Sequence, residues 1–331
     1  MKNQPAVDAE AANAERCRNR TGRYEAWYVT VNDPSTRRGF WIRYTTLNPA
    51  PGTGIEPQAA LWAFGFDHDD PSRNWGGRQV FPLSDMSSSS HPFRLGSNGA
   101  ELGTGGCAGS LSSEHGAARW QLEWTSREPA PFPFMNPRFQ GISSVANIAA
   151  HPQLAVTGEI ELDGRTHPLT GAFGGQQHTW GSRHALSWNW GFASGPDFWV
   201  DGVTSRVRSR LGRVVAGTAL GALVAGEPFR HNGLRQVLST PGTISADAWS
   251  AVAHVGDRRL EVDIRPRRED LIGVTYTDPR GGSRYCYHSE VADLRVSFSR
   301  EGRSLAEIHR PAAAAFEYAS DAPLEGVPLT I

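Results

Sequence analysis

The sequence predicts an all-β protein made of two antiparallel, barrel-like units. Three observations carry that prediction. Short runs alternate apolar and polar residues with a period of two, as Trp120, Leu122 and Trp124 do against Gln121 and Glu123. Turn dipeptides stand between such runs, at Asn98-Gly99, Asp163-Gly164 and Gly256-Asp257. No long stretch carries the period of an amphipathic helix. A length of 331 residues suggests about two domains. The expected division is a mobile tail over residues 1–20, a first unit over 21–185 and a second over 186–331.

The elements follow in chain order. The short helical candidates are Val7 to Cys17 and Gly217 to Ala225. Tyr24 to Val31 is aromatic and β-branched, and reads as a strand. Asn32-Asp33-Pro34 breaks it, and Phe40 to Thr45 returns as its hairpin partner. Glu25 and Arg43 lie inside these apolar strands. They read either as an ion pair on a solvated face or as a charged pair pointing into a barrel. Ala59 to Phe66 is a nearly continuous apolar strand ending in Asp67-His68-Asp69-Asp70, which reads as a turn. Gly96 to Gly109 lacks the Lys and Ser/Thr of a phosphate loop and reads as a hairpin with a bulged strand. Pro129 to Pro137 is an apolar, proline-rich loop suited to lidding a cavity or packing between domains. Further on, Gly212 to Val224, Gly233 to Leu238, Trp249 to His254, Leu260 to Ile264, Ile272 to Thr277, Tyr285 to His288 and Ala292 to Phe298 are candidate strands.

The stretch from Gly158 to Arg208 concentrates the chemistry. A hairpin at Asp163-Gly164 leads through glycines to His178-Thr179-Trp180-Gly181-Ser182-Arg183 and then to Trp188-Asn189-Trp190. In extended chain His178 and Trp180 share a face, and so do Trp188 and Trp190. The expectation is an aromatic wall with Trp188 and Trp190 facing His178 and Trp180 across a pocket. Such a pocket, apolar with a few polar anchors, suits a small organic ligand.

Charge and cysteine usage narrow the function. A net charge of -1 supplies no whole-molecule field for nucleic acid or an anionic membrane. Cys17, Cys107 and Cys286 have neither disulfide-framework nor zinc spacing, which fits a reducing compartment. The polar amino terminus shows no signal-peptide core, so a cytoplasmic location is expected. No apolar run reaches bilayer length, so no stable membrane insertion is expected. His178 and His184 are too few to close a metal site, and none is expected.

Gly171-Ala172-Phe173-Gly174-Gly175-Gln176-Gln177-His178-Thr179-Trp180-Gly181-Ser182-Arg183, followed by Trp188-x-Trp190, resembles the central motif of the lipocalin-like family of carotenoid 1,2-hydratase, tocopherol cyclase and AttH-type proteins. Tyr24-Glu25-x-Trp27-Tyr28, Trp41-x-Arg43-Tyr44 and Leu61-Trp62-Ala63 match the family's amino-terminal style. The resemblance covers about residues 22–210. It implies two lipocalin-like (calycin) antiparallel barrels side by side, with an apolar ligand in a barrel or between them and no organic cofactor. Family members hydrate or cyclise isoprenoid chains, and related fungal members guide cycloadditions. Hydratase-like members carry an aspartate before the motif histidine, where this chain has Gln177.

The resemblance then implies an enzyme that cyclises, isomerises or hydrates an isoprenoid, polyene or polyketide without a cofactor. Burying an apolar chain is worth roughly 25 cal/mol per Å², and a rigid cavity removes the entropy of folding it. His178 and Glu25 are the candidate acid or polarising groups, and Arg183 orients a carbonyl or hydroxyl. Trp180, Trp188, Trp190, Trp41 and Trp27 shape the cavity and offer indole faces to a cation. In a pericyclic reaction Gln177, His178 and Tyr44 polarise a carbonyl and no acid is needed. A lipid or pigment carrier and a carbohydrate-binding β protein are the alternatives.

Overall fold

The computed structural model describes residues 8–128, 130–136, 143–209, 212–240 and 242–331. The first sheet comprises β1 (Arg23–Asp33), β2 (Arg38–Asn48), β3 (Gln58–Asp67), β4 (Trp75–Pro82), β5 (Met86–Ser90), β6 (Phe93–Ser97), β7 (Ala100–Gly103), β8 (Gly106–Ser113), β9 (Gly116–Ser126), β10 (Phe132–Pro133), β11 (Val145–Leu162) and β12 (Arg165–Gly181). Its spatial order is β4-β3-β2-β1-β12-β11-β9-β8-β7-β6-β5, with β10 on β11. The second comprises β13 (Ser187–Ser194), β14 (Trp199–Arg208), β15 (Val214–Val224), β16 (Glu227–His231), β17 (Trp249–Val255), β18 (Arg258–Arg265), β19 (Ile272–Thr277), β20 (Ser283–Arg300) and β21 (Arg303–Ser320). Its order is β16-β15-β14-β13-β21-β20-β18-β17, with β19 on β20. The strand pairings are antiparallel, as the alternation and hairpin turns predict.

Both sheets roll up. In the first, the Gln79 side chain on β4 accepts from the Ser112 amide on β8 at 2.9 Å, and Trp75 Nε1 donates to the His115 carbonyl at 2.7 Å. In the second, Arg258 on β18 donates to the Pro228 carbonyl on β16 at 2.6 Å. Covering the edge strands in this way keeps their unpaired backbone groups from other chains.

Turn chemistry lands where the dipeptides put it. Asp163 and Gly164 join β11 to β12 with φ of 46° and 75°, and Asn98 and Gly99 join β6 to β7 with φ of 46° and 80°. Positive φ at both central residues is what a type I′ hairpin requires. Two expectations change. Gly217 to Ala225 is not helical, because β14 and β16 pair with both sides of β15 there. Gly233 to Leu238 is not a strand. It forms helix α2 (Leu234–Ser239), started by the Gln236 side chain accepting from the Gly233 amide at 3.0 Å.

Among the described residues the apolar side chains pack in three large bodies and a small one of Ala12, Ile148 and Ala150 with Trp180. Strand parity sends Trp27, Val29, Ile42, Tyr44, Trp120 and Ile160 into the first barrel, which they fill. Trp249, Leu260, Val262, Leu294 and Phe298 fill the second. The third body lies between the barrels and takes the opposite faces, with Tyr28, Trp41, Trp62, Phe132, Trp190 and Tyr276. The expected apolar loop supplies Phe132 and Phe134 to it, while Pro129 and Pro137 lie outside the described residues.

The amino-terminal segment, of which residues 1–7 lie outside the described ones, carries a short helix inside the helical candidate Val7 to Cys17. Helix α1 (Ala9–Asn13) is capped by Asp8 and buries Ala12 and Asn13. It closes one end of the first barrel. Trp27 Nε1 donates to the Asn13 carbonyl at 2.8 Å, and Asn13 Nδ2 donates to Gln176 Oε1 at 2.9 Å. Backbone groups in so short a helix need such outside partners. Among the described residues no helix is long and apolar enough to cross a membrane.

Candidate functional site

The candidate residues separate onto two faces of one sheet. On β1 and β12 the register pairs Glu25 with Trp180 and Trp27 with His178, so these four share the face that lines the first barrel. Tyr28 pairs with Gln177 on the other face, toward the second barrel. The expected facing of Trp188 and Trp190 onto His178 and Trp180 is therefore not what forms. One pair lines the first barrel and the other lies between the barrels, with the β12 backbone separating them.

His178 and Glu25 are both fully buried, 2.8 Å apart between Nε2 and Oε1. His178 Nδ1 donates to the Ala12 carbonyl at 2.8 Å. The Glu25 carboxylate accepts from the Arg16 and Cys17 amides at 2.7 and 2.9 Å. Trp27 stacks on the imidazole with centroids 4.7 Å apart, and Trp180 leans on it from 4.8 Å. Every polar group of the pair has a partner, and the amino-terminal segment covers it. This is an anchor for that segment, with neither residue on the cavity described next. Tyr44 is also in the first barrel, donating to the Glu101 carbonyl at 2.9 Å and accepting from Trp120 Nε1 at 3.1 Å. Arg183 is exposed.

A cavity of about 280 Å³ lies between the barrels. Trp41, Trp188 and Trp190 line it, together with Tyr28, Tyr276 and Phe134. Trp41, Trp188 and Trp190 are the substrate-binding candidates of the sequence that line this cavity. Among the described residues its charged and imidazole groups are Arg43, His184 and Glu317, none of them among the candidate catalytic residues.

Arg43 is only 7% exposed, and its Nε has no hydrogen-bond partner among the described residues. Its guanidinium lies over the rings of Tyr276, Trp41 and Trp62, with Cζ to centroid distances of 4.4, 5.2 and 5.8 Å. It forms no pair with Glu25, which is on the opposite face of the sheet. Burial works against its charge, but the Tyr276 and Glu317 oxygens outweigh that and hold it charged.

Glu317 on β21 accepts from Trp188 Nε1 at 3.0 Å, and the Tyr276 hydroxyl is 3.4 Å from its Oε1. Behind it, His288 Nδ1 is 3.3 Å from Oε1, and His288 Nε2 is 2.8 Å from Glu290 Oε1. The imidazole is fully buried and stacks on Trp41 at 4.3 Å. Burial pulls its pKa down, but the two carboxylates override this and raise it to about 9. Burial pushes Glu317 up, but contact with His288 and the Arg43 charge bring it below the usual carboxylate range. Burial raises Glu290 to about 7. Burial and Arg43 together lower His184 to about 3, leaving it neutral. The cavity thus presents a guanidinium, a carboxylate and tyrosine hydroxyls to its contents. The charged histidine and the guanidinium keep this carboxylate ionised, so it is free to accept a hydrogen bond or a proton and has none to give.

Gln177 sits at the deep end of the interface. Its Nε2 donates to Asp201 Oδ2 at 3.2 Å, and Trp190 Nε1 donates to Oδ1 at 2.9 Å. A carboxyl thus adjoins position 177 although the chain has glutamine there, and it comes from β14 of the second sheet. Burial raises Asp201 to about 7.

No protein-family model matches the sequence. The uncharacterised protein Rv0493c of Mycobacterium tuberculosis is 25% identical over 296 residues, 88% of this chain and 86% of that protein. The solved structure of CghA matches with a TM-score of 0.55 and 12% identity, covering 92% of this chain and 90% of the other. A putative AttH protein from Nitrosomonas europaea matches with a TM-score of 0.53 and 15% identity, covering 90% and 92%. With two rolled antiparallel sheets and these structural relatives, the chain has the two-barrel lipocalin-like fold that its central motif resembles.

Proposed function

We propose that this protein is a cofactor-independent enzyme that binds an apolar substrate carrying an oxygen function and isomerises or cyclises it in the inter-barrel cavity. The observation that carries this reading is Arg43, a buried guanidinium on an aromatic cavity wall whose Nε has no acceptor. A buried donor of this kind costs stability unless a ligand oxygen meets it. The structure of CghA with Sch210972 supports the ligand-binding part of the reading.

The chemistry follows from the pair facing the cavity. Arg43 holds a carbonyl oxygen and stabilises negative charge on it. Glu317 takes a proton from the neighbouring carbon, and the electron pair moves onto the oxygen. Return of the proton at another carbon completes an isomerisation; addition of the enolate carbon to a second C=O or conjugated C=C of the same molecule opens that π bond, and the proton on Glu317 goes to the anion so formed, completing a cyclisation. The indoles hold the chain in one conformer. A carboxylate held ionised can accept a proton but has none to donate, so this reading favours proton abstraction over alkene protonation and hydration.

A long-chain β,γ-unsaturated ketone tests it, because conjugation is followed by ultraviolet absorbance. The expected result is saturable conversion that falls at least tenfold in Glu317→Gln and in Arg43→Gln. Saturable binding with no conversion would make the protein a carrier of such molecules.

A further inference from the structure

The register carries a row of side chains across the outer face of the first sheet. Tyr28 pairs with Arg43, Arg43 with Trp62, and Trp62 with Arg78. In antiparallel pairs the directly opposite residues point to the same side, so Arg43, Trp62 and Arg78 form one line facing the second barrel. Both guanidiniums lie over the Trp62 ring, Arg78 at 4.5 Å and Arg43 at 5.8 Å from its centroid. That places the two charges within about 10 Å of each other, on strands two steps apart.

Neither charge has an acid of its own here. The Nε atoms of both arginines are buried without a partner. No ion pair forms at either among the described residues, and burial, together with the Arg43 charge, lowers the pKa of Arg78. Glu317 is shared with His288, Trp188 and Tyr276. Glu25 borders the same region, but its carboxylate oxygens are taken by the Arg16 and Cys17 amides and His178.

Space accompanies the charge. A smaller pocket of about 40 Å³ adjoins the main cavity, and Tyr24, Arg43, His184 and Tyr276 line both. Arg78 and Trp62 line only the smaller one. That volume suits a group of about three heavy atoms.

Resting on the reading of the inter-barrel cavity as a binding site, we propose that its ligand is an acid, with the apolar body in the main cavity and a carboxylate in the side pocket between Arg43 and Arg78. Planar guanidiniums recognise a carboxylate through parallel N–H donors. The aromatic platform beneath them keeps both in place and away from bulk water.

Isothermal titration with dodecanoate, dodecanol and acetate tests the assignment. The wild type is expected to bind dodecanoate at least tenfold more tightly than dodecanol, with acetate much weaker than either. Arg78→Met, which keeps the apolar stem, is expected to bring dodecanoate to the affinity of dodecanol and leave dodecanol unchanged. Binding of dodecanol with no preference for the acid in the wild type overturns the assignment alone, and needs no variant to fold. Acetate binding as well as dodecanoate also overturns it, since the site then takes free anions. Failure of dodecanol and dodecanoate alike overturns the cavity reading and this inference with it.

Discussion

Each sheet contributes a buried histidine held 2.8 Å from a glutamate, and the two pairs differ in what is left over. In the first barrel Glu25 has three donors and His178 uses both nitrogens. Between the barrels, Glu290 Oε2 has no partner, and the imidazole connects through Glu317 to a cavity wall. The same two residue types therefore anchor a chain segment in one place and set the charge of a cavity carboxylate in the other. What separates the roles is the completeness of the hydrogen bonding, because a satisfied buried pair has nothing to offer a ligand while a partly satisfied one is costly until something binds.

The largest expected effect breaks the anchor. Glu25→Ala leaves His178 and two amides without their acceptor, and loss of one member of a buried pair costs about 3–5 kcal/mol. Chemical denaturation is expected to show that loss, with proteolysis entering through residues 8–20. Glu317→Gln is expected to change stability far less than it changes turnover. Should Glu25→Ala retain wild-type stability, the two pairs do not differ as argued.

Arg43→Met is next. The Arg43 charge is buried with no ion-pair partner among the described residues, so an apolar side chain of similar length removes a desolvation cost. The melting temperature is expected to hold or rise while affinity for an apolar ketone falls at least tenfold. A stability gain coupled to a functional loss is the mark of a group retained for its ligand.

Proton linkage separates the pairs further. His288 is raised from 6.5 to about 9 in the folded protein. The stability it contributes is complete below pH 6.5 and is lost as pH rises through 9. Glu290 and Asp201, both raised to about 7, act in the same direction at lower pH. The melting temperature is therefore expected to fall between pH 7 and pH 9, with a flatter slope in His288→Asn. A slope unchanged in that variant assigns the loss to other groups. The smallest effect belongs to Arg183→Ala. This exposed residue is expected to change stability by less than about 0.5 kcal/mol and ligand affinity by less than twofold.

Fold class was legible because it depends on local signals. Alternation and the positive-φ turn residues are written within a few positions of each other, and they specify hairpins directly. The cavity aromatics were half legible. Trp41, Trp188 and Trp190 stand out by type and spacing, and all three line the cavity. His178 stood out for the same reason, but one-residue parity on β12 turns it into the first barrel, while Gln177 faces the second. Parity is visible in a sequence. Which face looks onto a filled barrel is decided by the other sheet. Glu317, His288 and Asp201 had no motif, since they come from β14, β20 and β21 and meet only through tertiary packing. Arg43 did carry a signal, as a charge inside an apolar strand, although its expected partner was the wrong one.

The position of Glu317 on the last long strand has a consequence for biosynthesis. β1 pairs with β12 and β13 pairs with β21, so each sheet joins segments more than a hundred residues apart. Such closures are slow relative to hairpin formation. As the chain leaves the ribosome, the first barrel can close once residue 181 has emerged, and its interior needs nothing from later strands. The face of that barrel turned toward the second then waits, with Trp41, Trp62 and Arg43 exposed, until β19 and β20 bring Tyr276 and His288 and β21 brings Glu317. For the length of about one further domain the nascent protein carries an uncovered aromatic face. It is over that interval, and not in the finished protein, that a chaperone has the greatest surface to hold.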